Sequence, residues 1–135
     1  MDDLSLAKTA FHARNFAYTP YSNFQVGAAL LSKCGKVFTG CNIESASFTP
    51  TNCAERTAFF KAISEGITEF EAIAIVGGLK GDETLICPPC GVCRQVMAEF
   101  CTSDFRIIMA DSDDNIQVMT LEDILPMRFG PANLL

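Results

Sequence analysis

Histidine, basic side chains and long apolar runs are scarce in this chain, and each scarcity removes a class of function. Ten lysines and arginines stand against sixteen aspartates and glutamates, for a formal charge of −6. Nucleic-acid binders meet phosphates with a basic face. The few cations here are scattered along the chain, so no polymeric nucleic acid is expected as a partner, while a small uncharged nucleoside remains compatible. No apolar run approaches the ~18 residues that indicate a membrane span. The N-terminus, Met1-Asp2-Asp3-Leu4, opens acidic where a secretory leader opens basic and then turns apolar. A cytoplasmic protein with no membrane partner is therefore expected. Internal repeats and low-complexity segments are absent. The one histidine, His12, falls beside Lys8 and Asn15 on a helical pattern, away from the apolar stripe, and reads as a solvated surface residue. A metal site in this chain must be built mostly from sulfur.

Sulfur is plentiful. Seven cysteines, at positions 34, 41, 53, 87, 90, 93 and 101, are an odd number in a chain that opens without an export signal, which favours metal or catalytic thiols over a disulfide framework. With 49% hydrophobic and 19% charged residues over 135 positions, the chain is globular and fits one domain, residues 1–135.

Apolar spacing predicts a helix over 3–18, with Leu4, Ala7, Phe11, Arg14 and Tyr18 on the packed face. A break at Thr19-Pro20 follows. Residues 24–31 and 36–41 then read as a hairpin with its turn at 32–35. A helix is expected over about 53–65 with Gly66 closing it, then a covered strand over 72–76 and a flexible loop over 77–82. The apolar pair Leu85-Ile86 leads to Cys87-Pro88-Pro89. A helix over 91–101, strands over 106–110 and 116–119, and a short helix opened by Thr120 and stopped by Pro126 complete the pattern. Strands alternating with helices after an opening hairpin imply a layered α/β fold.

Two segments carry chemistry: Asn52-Cys53-Ala54-Glu55-Arg56-Thr57 and Pro89-Cys90-Gly91-Val92-Cys93. Cys53 and the Cys90/Cys93 pair each sit at a predicted helix start, where the partial positive charge of the helix favours thiolate. Three thiolates fill three corners of a zinc tetrahedron and leave the fourth for water, the arrangement of a catalytic rather than a structural site. Three ordinary buried cysteines, or a redox C-x-x-C, are the competing readings. Glu55, two residues from a ligand, can reach the metal's water without binding the metal; if Asn52 caps the helix, Glu55 merely closes a capping box. Arg56 can withdraw charge from the net-negative cluster by donating to its sulfurs, or it is a surface arginine. Cys87 is the open question. Joined to the other three it would close the site as a structural Cys₄ centre, but Pro88 and Pro89 hold the chain extended and carry it away.

At these residues the chain resembles the zinc-dependent cytidine deaminases of the small homotetrameric type. Asn52-Cys53-Ala54-Glu55-Arg56-Thr57-Ala58 and Pro89-Cys90-Gly91-Val92-Cys93-Arg94-Gln95-Val96 match the two zinc motifs of that family. The likeness extends to the stretches running from Tyr21 to Leu30, Gly40 to Glu44 and Leu125 to Pro131. It implies a three-layer α/β/α sandwich on a mixed sheet of about five strands opening with an antiparallel hairpin. It implies one zinc ion per subunit on Cys53, Cys90 and Cys93, with Glu55 as proton shuttle for hydrolytic attack at C4 of the pyrimidine. Cytidine and deoxycytidine would become uridine and deoxyuridine with release of ammonia, as in pyrimidine salvage. By the same resemblance Phe24 packs on the base, Asn42 and Glu44 bind the ribose hydroxyls, and the Ala54 N–H holds the base carbonyl. Phe129 would reach a neighbouring subunit's pocket within a homotetramer.

Two positions depart from the family pattern. Phe48 stands where relatives often carry tyrosine, removing a hydroxyl near the subunit interface. Pro88 replaces a frequent serine but keeps its backbone carbonyl, which is the group expected to face the departing amine. Two other readings stay open: a deaminase of another aminopyrimidine nucleoside, and a zinc-stabilised binding module without catalysis.

Overall fold

The computed structural model of the chain describes residues 1–135. In chain order it contains α1 (Asp3–Arg14), β1 (Phe24–Ser32), β2 (Val37–Cys41), α2 (Ala54–Ser64), β3 (Phe70–Leu79), α3 (Gly91–Phe100), β4 (Arg106–Ala110), β5 (Ile116–Thr120) and α4 (Leu121–Ile124). A single 3₁₀ turn follows at Pro131–Asn133. The five strands form one sheet in the order β2-β1-β3-β4-β5. β1 is antiparallel to both β2 and β3, β3 is parallel to β4, and β4 is antiparallel to β5. The sheet is therefore mixed and opens with the hairpin expected from the sequence.

Alternation along the strands sends side chains to two cores. Ala28, Leu30, Ile73, Ile75, Ile107 and Met109 pack with Ala58, Phe59 and Met97 of α2 and α3. Ala29, Leu31, Ala72, Ala74, Val76 and Ile108 pack with Leu6, Ala7 and Ala10 of α1. Helices thus cover both faces, which explains why β3 and β4 read as unbroken apolar runs.

Three sequence expectations need correction. α1 ends at Arg14, four residues early: the N–H groups of Asn15, Phe16 and Ala17 bond three residues back, and the Tyr18 N–H pairs instead with the Asn42 carbonyl. Its buried face is Leu6, Ala7, Ala10 and Ala13, with Tyr18 exposed and Phe11 only half-buried. The cause is close approach to the sheet. A Cβ on Gly27 would lie 2.1 Å from the Ala10 carbonyl oxygen, so a row of alanines, not a row of large side chains, faces that strand. Finally, Gly77, Gly78 and Leu79 belong to β3 and not to a loop, because β1 continues far enough to pair with them: Val26 with Gly77, Gln25 with Gly78 and Phe24 with Leu79. His12 is exposed, as read, with its ring edge-on to Phe16.

Candidate active site and metal centre

The N-termini of α2 and α3 meet at one point. Cys53 is the N-cap of α2 and Cys90 the N-cap of α3; both have extended backbone, and neither side chain is spent on a capping bond. Cys93 lies in the first turn of α3 and is buried. α2 reaches this position because β2 lets it come close: a Cβ on Gly40 would sit 2.2 Å from the Ala54 carbonyl oxygen.

The three sulfurs lie within 4.8 Å of one another. Sulfurs ~2.3 Å from a tetrahedral zinc are separated by about 3.8 Å, and the Cys53 and Cys90 sulfurs are 3.8 Å apart. The donor set and its spacing therefore fit one zinc ion. Arg56 donates through Nη2 to the Cys53 sulfur at 3.2 Å, and its Nε is buried without a partner. The Cys53 thiol is pushed down to about 5, chiefly by the hydrogen bond from Cys93, with burial opposing and Arg56 assisting. Burial works against the Arg56 charge, yet its bonds to the Cys53 and Cys93 sulfurs outweigh that and hold the guanidinium charged.

Cys87 stands outside the cluster. Its sulfur packs against Gly77, where a Cβ would come within 2.7 Å of it. Burial, followed by the nearby Glu55 and Cys53 charges, pushes its thiol up to about 11, and its sulfur is not among the three that cluster. The assembled donors are three.

Glu55 is 4% exposed. Burial pushes its carboxyl up to about 7, with the Cys53 charge adding to the shift. Cys53 caps α2, and the Asn52 side chain donates to the Thr57 hydroxyl at 3.2 Å, so Glu55 closes no capping box with Asn52. A buried carboxyl titrating near neutrality can both take and give a proton.

These groups border a cavity of about 290 Å³ whose lining includes Phe24, Val26, Asn42, Glu44, Ala54 and Glu55 together with Cys53 and Cys90. Asn42 donates to the Phe24 carbonyl and accepts from the Val26 N–H, each at 2.8 Å. The Glu44 carboxylate accepts from the Tyr21 and Ser22 N–H groups at 3.0 and 3.2 Å and from the Ser22 hydroxyl. The hydroxyl bond does most to hold its pKa below the usual carboxylate range. Between Asn42 and Glu44, Ile43 is bridged to Asn52 by paired backbone bonds, which fixes that turn to the start of the metal helix. Phe129 does not line the cavity; it is 60% exposed, and its carbonyl accepts from Gln95. Cys87, Pro88 and Asn52, each weighed from the sequence, border the cavity as well, and so do Ser22, Val26 and Thr51, which were not singled out as site residues. Turn polarity gave no signal for these three, since only pairing across the chain brings them there.

Residues 1–109 match the family model described as "Cytidine and deoxycytidylate deaminase zinc-binding region". The chain belongs to this deaminase family. It is 52% identical to a cytidine deaminase of Halalkalibacterium halodurans over 99% of this chain and 98% of that one. It is 44% identical to a cytidine deaminase of Sporosarcina psychrophila over 99% and 96% of the two. Among solved structures, the cytidine deaminase of Burkholderia pseudomallei superposes with a TM-score of 0.87 at 45% identity, covering 96% of this chain and 100% of that one. As a member of the zinc-binding deaminases, the chain has in Cys53, Cys90 and Cys93 a cluster positioned for one zinc ion.

Proposed function

We propose that this protein is a hydrolytic cytidine deaminase, converting cytidine and deoxycytidine to uridine and deoxyuridine with release of ammonia. The observation that carries the reading is Glu55: a buried carboxyl titrating near neutrality, two residues from one cysteine of a three-sulfur metal cluster. Bound zinc on Cys53, Cys90 and Cys93 supplies a Lewis acid that lowers the pKa of water to about 7.

The chain's own groups do the rest. The Glu55 carboxylate takes the proton of the attacking water as its oxygen adds to C4, and passes that proton to N3. It then takes the second proton from the same oxygen and delivers it to the amino group at C4. The C4–N bond breaks, ammonia leaves and the C4 carbonyl forms. The Ala54 N–H orients the base carbonyl, Phe24 stacks on the ring, and Asn42 and Glu44 receive the ribose hydroxyls. Arg56 offsets the negative charge of the thiolates. The Pro88 carbonyl is available to the departing amine, and Phe129 serves the site of a neighbouring subunit in a homotetramer.

The cavity wall contains the two carboxylates of Glu44 and Glu55 and no lysine or arginine. A substrate phosphate would be repelled there, which supports a nucleoside over a nucleotide within a family whose description covers both. Purified zinc protein should release ammonia from cytidine and deoxycytidine, and much more slowly from deoxycytidylate. A protein that deaminates the nucleotide faster than the nucleoside contradicts this choice.

A further inference from the structure

Arg14, the last residue of α1, does not line the cavity, yet it is tied to the two strand ends that carry the cavity's wall. Its Nε donates to the Gln25 carbonyl at 2.9 Å, and its Nη2 donates to the carbonyls of Gly78 and Leu79 at 2.8 and 3.1 Å. No carboxylate pairs with it. A half-buried charge without a counter-ion is costly to desolvate, and burial lowers its pKa accordingly. Docking α1 on the sheet does not require such a charge, because Leu6, Ala7 and Ala10 already form that contact.

What the guanidinium spans is specific. Gln25 and Gly78 face each other in the register between Phe24–Leu79 and Val26–Gly77. Phe24 and Val26 are walls of the cavity, and Gly77 receives the sulfur of Cys87, another wall residue. Asn42 holds the Phe24 carbonyl and the Val26 N–H, whereas the carbonyls on either side of the β1–β3 seam are gathered by Arg14. Gly77 and Gly78 are held by backbone pairing to Val26 and Gln25, with Gly77 also bridged to Leu85, but they carry no side chains of their own. Arg14 adds a side-chain tie from α1 to the Gly78 and Leu79 carbonyls.

We propose that Arg14 is a positioning residue for the substrate's base: by clamping the ends of β1 and β3 it sets where the Phe24 ring and the Cys87 wall stand. The proposal rests on the deaminase reading. A wall that stacks on the base meets substrate and transition state alike, so loosening it weakens binding and leaves the chemical step intact.

The test compares Arg14→Met with Leu6→Ala, which loosens the same helix from the same sheet face without touching the strand ends. Loss of the stacking geometry should raise KM for cytidine about tenfold in Arg14→Met, with kcat within about twofold of wild type and zinc content unchanged. Arg14→Lys, which keeps the charge but not the planar fork, should fall between. Leu6→Ala should lower Tm and leave KM as in wild type. A rise in KM in Leu6→Ala equal to that in Arg14→Met, or an Arg14→Met protein altered in Tm alone, overturns the proposal while the deaminase reading stands. A wild-type zinc protein inert toward cytidine overturns both.

Discussion

Arg56 Nη2 lies 3.2 Å from the Cys53 sulfur, one turn further along the same helix, and its Nε is buried with no partner. Three thiolates around a dication leave a net charge of −1, which blunts the ion's pull on water. A guanidinium held against the sulfurs returns part of that pull. Arg56→Ala should therefore lose zinc faster to a chelator and turn cytidine over about 10- to 100-fold more slowly. Arg56→Gln should be intermediate in both respects. Unchanged zinc retention and rate in Arg56→Ala would show that the arginine has no part in the site's charge balance.

Glu55→Gln preserves size and hydrogen bonding but removes the proton carrier. Turnover should fall by about 10²–10⁴-fold or more, while zinc content stays at one per chain and Tm holds or rises. The stability expectation follows from burial, since a neutral amide does not carry the desolvation cost that raises the Glu55 pKa. A Glu55→Gln enzyme with wild-type kcat would remove the shuttle role.

Gly40 lets α2 approach the sheet, and through it Cys53 reaches its place. A methyl group there would sit 2.2 Å from a backbone oxygen, which cannot rotate aside as a flexible side chain could. Gly40→Ala should destabilise the fold by about 1–3 kcal/mol, the usual cost of overpacking, and weaken zinc retention by shifting the α2 N-terminus. A variant with wild-type Tm would contradict the close approach.

Cys87→Ala should still bind one zinc per chain with the same resistance to chelation. Its sulfur packs on Gly77 and is not one of the three clustered donors. Loss of the metal on this substitution would make Cys87 a ligand.

Phe129 is exposed and absent from its own chain's cavity, and the proposed function assigns it to a neighbouring subunit's site. Sedimentation should give a tetramer, and Phe129→Ala should raise KM for cytidine with zinc content unchanged. A monomer with full activity would refute the shared site.

Local signals in the sequence located most elements and the metal donors, and they failed where the deciding contact lay far along the chain. β4 was readable to the residue because an apolar run bounded by polar turns leaves little choice. The Thr120 capping box was readable for the same local reason, and it is present with Asp123 as its partner. The packed face of α1 was misjudged because alanines carry little hydrophobic signal, and their burial depends on Gly27 in another element. The end of β3 was hidden by Gly77-Gly78, which reads as a loop until β1 pairs with it. The two local readings of Glu55 could not be separated from sequence; what separates them is that the helix begins one residue later than Asn52 would require, leaving Cys53 as the cap. The grip of Arg14 on strand carbonyls more than sixty residues away has no sequence signature.

Zinc K-edge X-ray absorption on the wild-type protein tests the site most directly. Three sulfurs near 2.3 Å and one oxygen or nitrogen are expected in the metal's first shell, which leaves a place for water beside Glu55. Four sulfurs would mean a closed structural centre, and hydrolytic deamination by this chain would have no site at which to occur.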